Sequence, residues 1–223
     1  MSESPALDAT RRIVLDAASK LAPSGLSEGT SGNVSARVES GFVITPSGLP
    51  YDALTPLDLV VVGMDGSVGN GQNEPSSEWR IHRDIYASRE DAHGIVHAHP
   101  PFATTIACLG RDLPAVHYMI AVAGGEDVRC APYATFGTEE LSRHALAALE
   151  GRLACLLANH GIIAIGKDVA TAFGIAREIE SVAGIYWRAL SVGEPGIIGR
   201  EEMAELLRKF ETYGKGQRRT QSV

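Results

Sequence analysis

Two pairs of short strand-like runs are each joined by only a few residues, which restricts the chain to a sheet of largely antiparallel neighbours. Val34-Ser35-Ala36-Arg37-Val38 alternates apolar and polar side chains, and Gly41 turns it into Phe42-Val43-Ile44-Thr45. Residues 153–158 and 162–165 flank Asn159-His160-Gly161 in the same way. Strands joined this closely pair antiparallel, because a parallel return needs a crossover of about a dozen residues or more. Further strands are expected over 59–62, 92–99 and 115–122. Helices lie between them. Ser4-Pro5 supplies a cap and a first-turn proline, and Leu7, Ile13, Val14, Ala17 and Leu21 follow at helical spacing until Pro23-Ser24-Gly25. Pro75-Ser76-Ser77-Glu78 opens a helix through about residue 86. Another starts at Pro101 and is closed by Gly110, and one over 138–149 carries Glu139 and Glu140 in its first turn. Asp168 caps the longest helix, and the last is expected over 201–210. The sum is a layered α/β fold with helices outside a mainly antiparallel sheet. No GxGxxG follows a strand, so a Rossmann-type dinucleotide site is not expected.

Composition narrows the partners. With 223 residues, 44% of them hydrophobic, the chain can bury one sizeable core, and a single domain is the simplest organisation. A formal net charge of −7 argues against nucleic acid, whose binding needs a basic surface. The one basic cluster, Lys209, Lys215, Arg218 and Arg219, reads as a solvated terminus. Cys108, Cys130 and Cys155 form no CxxC pair and read as reduced thiols of a cytoplasmic protein. The first residues carry no apolar leader, and no apolar run reaches membrane-spanning length, so no membrane partner is expected.

Histidine placement carries the chemistry. His97 and His99 are two apart in a strand-like run, so their side chains share one face and can grip one metal ion side by side. His160, at the turn between two apolar runs, can close the triangle. Three imidazoles with an open position are the pattern of a catalytic divalent metal, most often zinc. The other histidines fit plainer roles. His82, on the helix after Glu78, reads as structural, His93 lies too far along the strand to reach the same ion, and His144 reads as exposed. Glu78 has two readings that spacing does not separate: compensation of a helix dipole, or a carboxylate that ligates the metal or serves as a base. Thr30-Ser31-Gly32-Asn33, Thr45-Pro46-Ser47-Gly48 and Ser76-Ser77 offer hydroxyls, amides and accessible backbone N–H groups. Converged, they can hold a phosphate without a lysine, although turns and caps explain each one locally.

These segments occur together in a known order. Gly29-Thr30-Ser31-Gly32-Asn33-Val34-Ser35, Thr45-Pro46-Ser47-Gly48, Ser76-Ser77-Glu78, His97-Ala98-His99 and Asn159-His160-Gly161 resemble the motif series of the class II aldolase/adducin family. The stretches 114–120, 130–138 and 210–214 extend the resemblance over essentially the whole chain. It implies one domain with a tail from about residue 211 and assembly as a homotetramer with active sites between subunits. It implies zinc on His97, His99 and His160, with Glu78 as a further resting ligand and as the proton-transfer group. Asn33, Ser47, Gly48, Ser76 and Ser77 would bind the substrate phosphate. Tyr118 of a neighbouring subunit would be the second proton-transfer group, and Phe136 and Tyr213 would close over the aldehyde end. The implied reaction is reversible cleavage of a ketose 1-phosphate, L-fuculose 1-phosphate foremost, to dihydroxyacetone phosphate and L-lactaldehyde. Deoxy- and methylthio-pentulose 1-phosphates share the phosphate half. An epimerase of pentulose 5-phosphates and a non-catalytic adducin-like module are the alternatives. The epimerases carry aspartate where this chain has Glu78, which favours the aldolase.

Overall fold

A computed structural model describes residues 4–210. In chain order the helices are α1 (Pro5–Ser19), α2 (Trp79–Ser88), α3 (Pro101–Cys108), α4 (Glu139–Ala148), α5 (Val169–Val192) and α6 (Arg200–Phe210). The strands are β1 (Asn33–Val38), β2 (Gly41–Ile44), β3 (Val60–Gly63), β4 (Gly94–Ala98), β5 (Leu113–Pro114), β6 (Asp127–Val128), β7 (Cys130–Ala131), β8 (Ala154–Leu157) and β9 (Gly161–Gly166). Seven of them form one sheet in the order β3-β2-β1-β4-β9-β8-β7. All neighbours in it are antiparallel except β7 and β8. The hairpins expected at Gly41 and at Asn159-His160-Gly161 are both present.

Helices cover both faces, which is why β4 and β9 are buried at every position and are apolar throughout except at His97. Val34, Val96, Ile162 and Ala164 point into a core shared with α1, α3 and α5. Phe42, Ile95, Ile163 and Leu157 point the other way, against Ile81, Ile85, Leu141 and Ala145 of α2 and α4. Polar groups fasten the helices around the site. Arg37 on β1 donates to the carbonyls of Tyr86 (2.7 Å) and Arg89 (2.8 Å), which places a cation at the C-terminal end of α2. Glu180 on α5 accepts from the first amides of α3, Phe102 at 3.0 Å and Ala103 at 2.8 Å, directly after the His99-Pro100 segment.

One expected strand is wrong. Residues 115–122 do not form a strand; a two-residue strand ends at Pro114, and a 3-10 helix spans Tyr118–Ala123. Ile120 and Ala123 are buried at the three-residue spacing that such a helix brings onto one face. His117 accepts from the Met119 amide at its start, and Gly124, at φ 80°, ends it. A short apolar run shows the same hydrophobicity in either conformation, so these capping groups decide the outcome. The three cysteines are free thiols. No helix among the described residues is long and apolar enough to cross a membrane. Of the basic cluster, Lys209 pairs with Glu205 at 2.6 Å, and Lys215, Arg218 and Arg219 lie outside the described residues.

Candidate metal centre

Three backbone devices bring the histidines together. β4 presents His97 opposite Asn33 of β1 and Ile163 of β9, on the face toward α2. His99 follows just past the strand end, with its amide donating to Ser27 Oγ at 3.1 Å. Asn159 adopts the left-handed conformation (φ 55°) and turns β8 into β9, which swings His160 back over the strand ends. Gly161 permits the approach: a Cβ there would lie 2.3 Å from the Ala98 carbonyl and 2.6 Å from the His99 ring. Gly161→Ala is therefore expected to push β9 away from His99 and to lower the metal content of the purified protein, measured by elemental analysis.

The result is a compact cluster. Ligand atoms of Glu78, His97, His99 and His160 all lie within 4.8 Å of one another. The ring centroids are 4.6 Å (His97–His99), 4.8 Å (His97–His160) and 5.1 Å (His99–His160) apart. Glu78 Oε2 lies 2.9 Å from His97 Nε2, and Oε1 lies 3.3 Å from His160 Nε2. His97 Nδ1 sits 2.9 Å from the Ile162 carbonyl and carries a proton toward it, which directs Nε2 at the cluster.

The position of Glu78 bears on both of its readings. It stands one residue before α2, at the N-cap, and its side chain does not cap that helix. The carboxylate turns to the imidazoles and is nearly buried. Burial alone would raise its pKa, but His97, His160 and the Asn33 amide outweigh this and hold the group well below the usual carboxylate range. His97 moves the opposite way: burial lowers its pKa, and Glu78 with the Ile162 carbonyl more than restores it. Burial pushes His99 down to about 3 and His160 to about 4, and both rings are neutral at pH 7 with lone pairs available. The Nε2 atoms of His97 and His99 and Oε1 of Glu78 are buried without a well-aligned hydrogen-bond partner. Orphaned buried polar atoms are costly, and the three converging here are what a divalent cation would satisfy. The donor set fits a metal.

The proposed phosphate segments are brought together in part. An isolated bridge joins Pro46 to Pro75, and Ser47 N donates to the Glu74 carbonyl at 3.0 Å, which places Ser47-Gly48 beside Ser76-Ser77. Asn33 enters from β1 and donates through Nδ2 to Glu78 Oε2 at 3.1 Å. Ser47, Gly48 and Ser77 are exposed, whereas Ser76 is buried and accepts from the Glu78 amide at 3.3 Å. Gly137 packs so near the Ser77 carbonyl that a Cβ would lie 2.9 Å from it, which sets the neighbouring Phe136 beside this loop, 62% exposed. An open cleft of about 720 Å³ adjoins His99, lined by Ser27, Glu28, Ser31, Thr104 and Cys108. Tyr118 is not drawn into the cluster. Among the described residues its ring neighbours are His117 (4.7 Å) and Phe210 (6.4 Å). Tyr213 lies outside the described residues.

Residues 12–187 match the family described as Class II Aldolase and Adducin N-terminal domain. The chain belongs to that family. It is 52% identical over 206 residues to the 5-methylthioribulose-1-phosphate/5-deoxyribulose-1-phosphate aldolase of Rhodospirillum rubrum, across 92% of this chain and 93% of that one. It is 45% identical over 208 residues to the L-fuculose phosphate aldolase of Escherichia coli K12, across 91% and 94%. A solved structure of L-fuculose 1-phosphate aldolase superimposes with a TM-score of 0.89 at 43% identity, over 95% of this chain and 98% of that one. The protein is a class II aldolase, a carbon–carbon lyase. Not legible in the sequence of this aldolase were the supports beneath the site's side chains: Ser27 under His99, the Ile162 carbonyl behind His97, and His82, Ser35 and Tyr86 behind Asn33. Ser35 carried a signal. It shares one face of β1 with Asn33 and Arg37, and a polar stripe in a covered strand calls for buried partners.

Proposed function

We propose that this class II aldolase reversibly cleaves a ketose 1-phosphate to dihydroxyacetone phosphate and a short aldehyde, with zinc as its metal. The convergence of three neutral or carboxylate-paired imidazoles on the buried Glu78 carries this assignment. Imidazole nitrogen with one carboxylate oxygen is a donor set that zinc favours. L-Fuculose 1-phosphate, which would yield L-lactaldehyde, is one candidate substrate. The higher identity to the Rhodospirillum rubrum protein favours a second: a 5-deoxy- or 5-methylthio-pentulose 1-phosphate. We place the enzyme in the cytoplasm as a homotetramer, with one domain spanning the chain and a tail from about residue 211.

A zinc ion on His97, His99 and His160 would supply Lewis acidity toward the oxygens of the three-carbon fragment. Asn33, Ser47, Gly48, Ser76 and Ser77 bind the phosphate, using hydroxyls, backbone amides and the Asn33 N–H that Glu78 leaves free. Tyr118 from a neighbouring subunit takes the proton of the C4 hydroxyl as the C3–C4 bond breaks, and the bonding electrons stay with C3. The Glu78 carboxylate removes the C3 proton in the condensation direction, and in cleavage it takes up a proton from solvent and passes it to C3. Phe136 and Tyr213 close over the aldehyde. The exposure of Tyr118 (44%) and its separation from the His97, His99 and His160 rings support a role across a subunit boundary.

The test is a panel of ketose 1-phosphates with and without chelator, read as released dihydroxyacetone phosphate. At least one sugar is expected to be cleaved, with loss in chelator and recovery on adding zinc. Interconversion of pentulose phosphates without fragments would transfer the chain to the epimerases. Tyr118→Phe is expected to slow cleavage more than it slows hydrogen exchange on dihydroxyacetone phosphate alone, because that exchange does not involve C4. Equal slowing in the two assays would remove Tyr118 from the aldehyde end.

A further inference from the structure

Behind Glu78 runs a line of buried polar side chains, of which the steps above use Asn33 alone. Asn33 Nδ2 donates to Glu78 Oε2 (3.1 Å), and Asn33 Oδ1 lies 2.6 Å from His82 Nε2. His82 Nδ1 lies 2.6 Å from Ser35 Oγ, which is 2.8 Å from the Tyr86 hydroxyl. All five residues are buried. The line follows from matched periodicities. Glu78 at the N-cap of α2 and His82 and Tyr86 within it recur every four residues, a rise of about 6 Å per helical step. Asn33, Ser35 and Arg37 recur every two along β1, a rise of about 6.6 Å per step. The two stripes therefore stay in register, and Arg37 closes the far end by donating to the Tyr86 carbonyl and lying over the Tyr86 ring.

Donors and acceptors fit along this line in one direction. The Glu78 carboxylate only accepts, so Asn33 turns its NH2 group toward it and its carbonyl toward His82. That carbonyl needs a donor, which puts the His82 proton on Nε2. Nδ1 is then an acceptor and takes the Ser35 hydroxyl proton. Ser35 oxygen in turn accepts from Tyr86. Each hydrogen bond points toward Glu78 and polarises the next. Burial keeps His82 neutral, pushing its ring down to about 3, and keeps the Tyr86 phenol protonated.

We propose that His82 is a positioning residue for proton transfer, one that with Ser35 and Tyr86 locks the Asn33 amide and thereby holds the Glu78 carboxylate in a single orientation. The role rests on Glu78 being the proton-transfer group. Two measurements on the metal-loaded enzyme test it. In a ¹⁵N-histidine NMR spectrum at neutral pH, the His82 ring, assigned by its loss in His82→Gln, is expected to be neutral with its proton on Nε2. A proton on Nδ1 would overturn the proposal. In the second, Ser35→Ala and His82→Phe are expected to retain metal and dihydroxyacetone phosphate affinity while slowing C3 hydrogen exchange by about 10- to 100-fold, as the loss of an outer partner does. His82→Gln, whose amide N–H can still serve the Asn33 carbonyl, is expected to recover much of the His82→Phe loss. Unchanged exchange in Ser35→Ala, or equal exchange in His82→Gln and His82→Phe, would overturn the proposal. The tautomer measurement needs no turnover, so its failure condemns the relay alone. A wild-type protein that exchanges no hydrogen would instead condemn the role given to Glu78.

Discussion

Glu78→Gln is expected to keep its metal and to lose hydrogen exchange at C3 of dihydroxyacetone phosphate by about 10²- to 10⁴-fold, the range that a positioned acid–base group supplies. Glutamine keeps the shape of the side chain and one oxygen for the Asn33 amide, so the local packing survives. What it gives up is the site where the proton would reside. The three Nε2 atoms remain, and they suffice for a catalytic metal site with an open position. Solvent deuterium incorporation followed by NMR, with elemental analysis of the same sample, reads both halves of the expectation. Normal exchange with a full metal complement would remove Glu78 from proton transfer.

His160→Ala is expected to cost more than about 100-fold in metal affinity, since even partners outside the ligand shell cost 10- to 100-fold. It is a cleaner probe than His97→Ala. The His97 ring is fully buried and hydrogen-bonded to the Ile162 carbonyl, so its removal also opens a cavity and strands a carbonyl. His160 stands at the tip of a turn with its ring 16% exposed, and its removal leaves both cores intact. Added zinc should raise the melting temperature of the wild type through binding to the folded state, and this rise should vanish in the variant. An unchanged zinc-dependent rise would take His160 out of the ligand set.

Most of this architecture was legible in the sequence because the signals were local. The hairpin at Gly41, the Ser4 and Asp168 caps and the alternation along β1 each express a backbone preference that the tertiary fold then keeps. The pairing of His97 with His99 was legible through strand parity, and His160 through its place at a turn. The failure over 115–122 came where burial was uniform, and there His117 and Gly124 decide the conformation. Glu78 was ambiguous for a different reason. Its role depends on which way a buried carboxylate turns, and that is set by Asn33, His97 and His160, none of them near it in sequence. The relay through Ser35, His82 and Tyr86 was beyond reach because it depends on the register between a helix stripe and a strand stripe brought together only on folding.

Anomalous diffraction above the zinc absorption edge, from crystals of active protein, tests the metal centre most directly. A single peak bonded to Nε2 of His97, His99 and His160 at about 2.0–2.1 Å is the predicted result. Crystals that show no peak among those three rings, yet dissolve to give full aldolase activity, would contradict it.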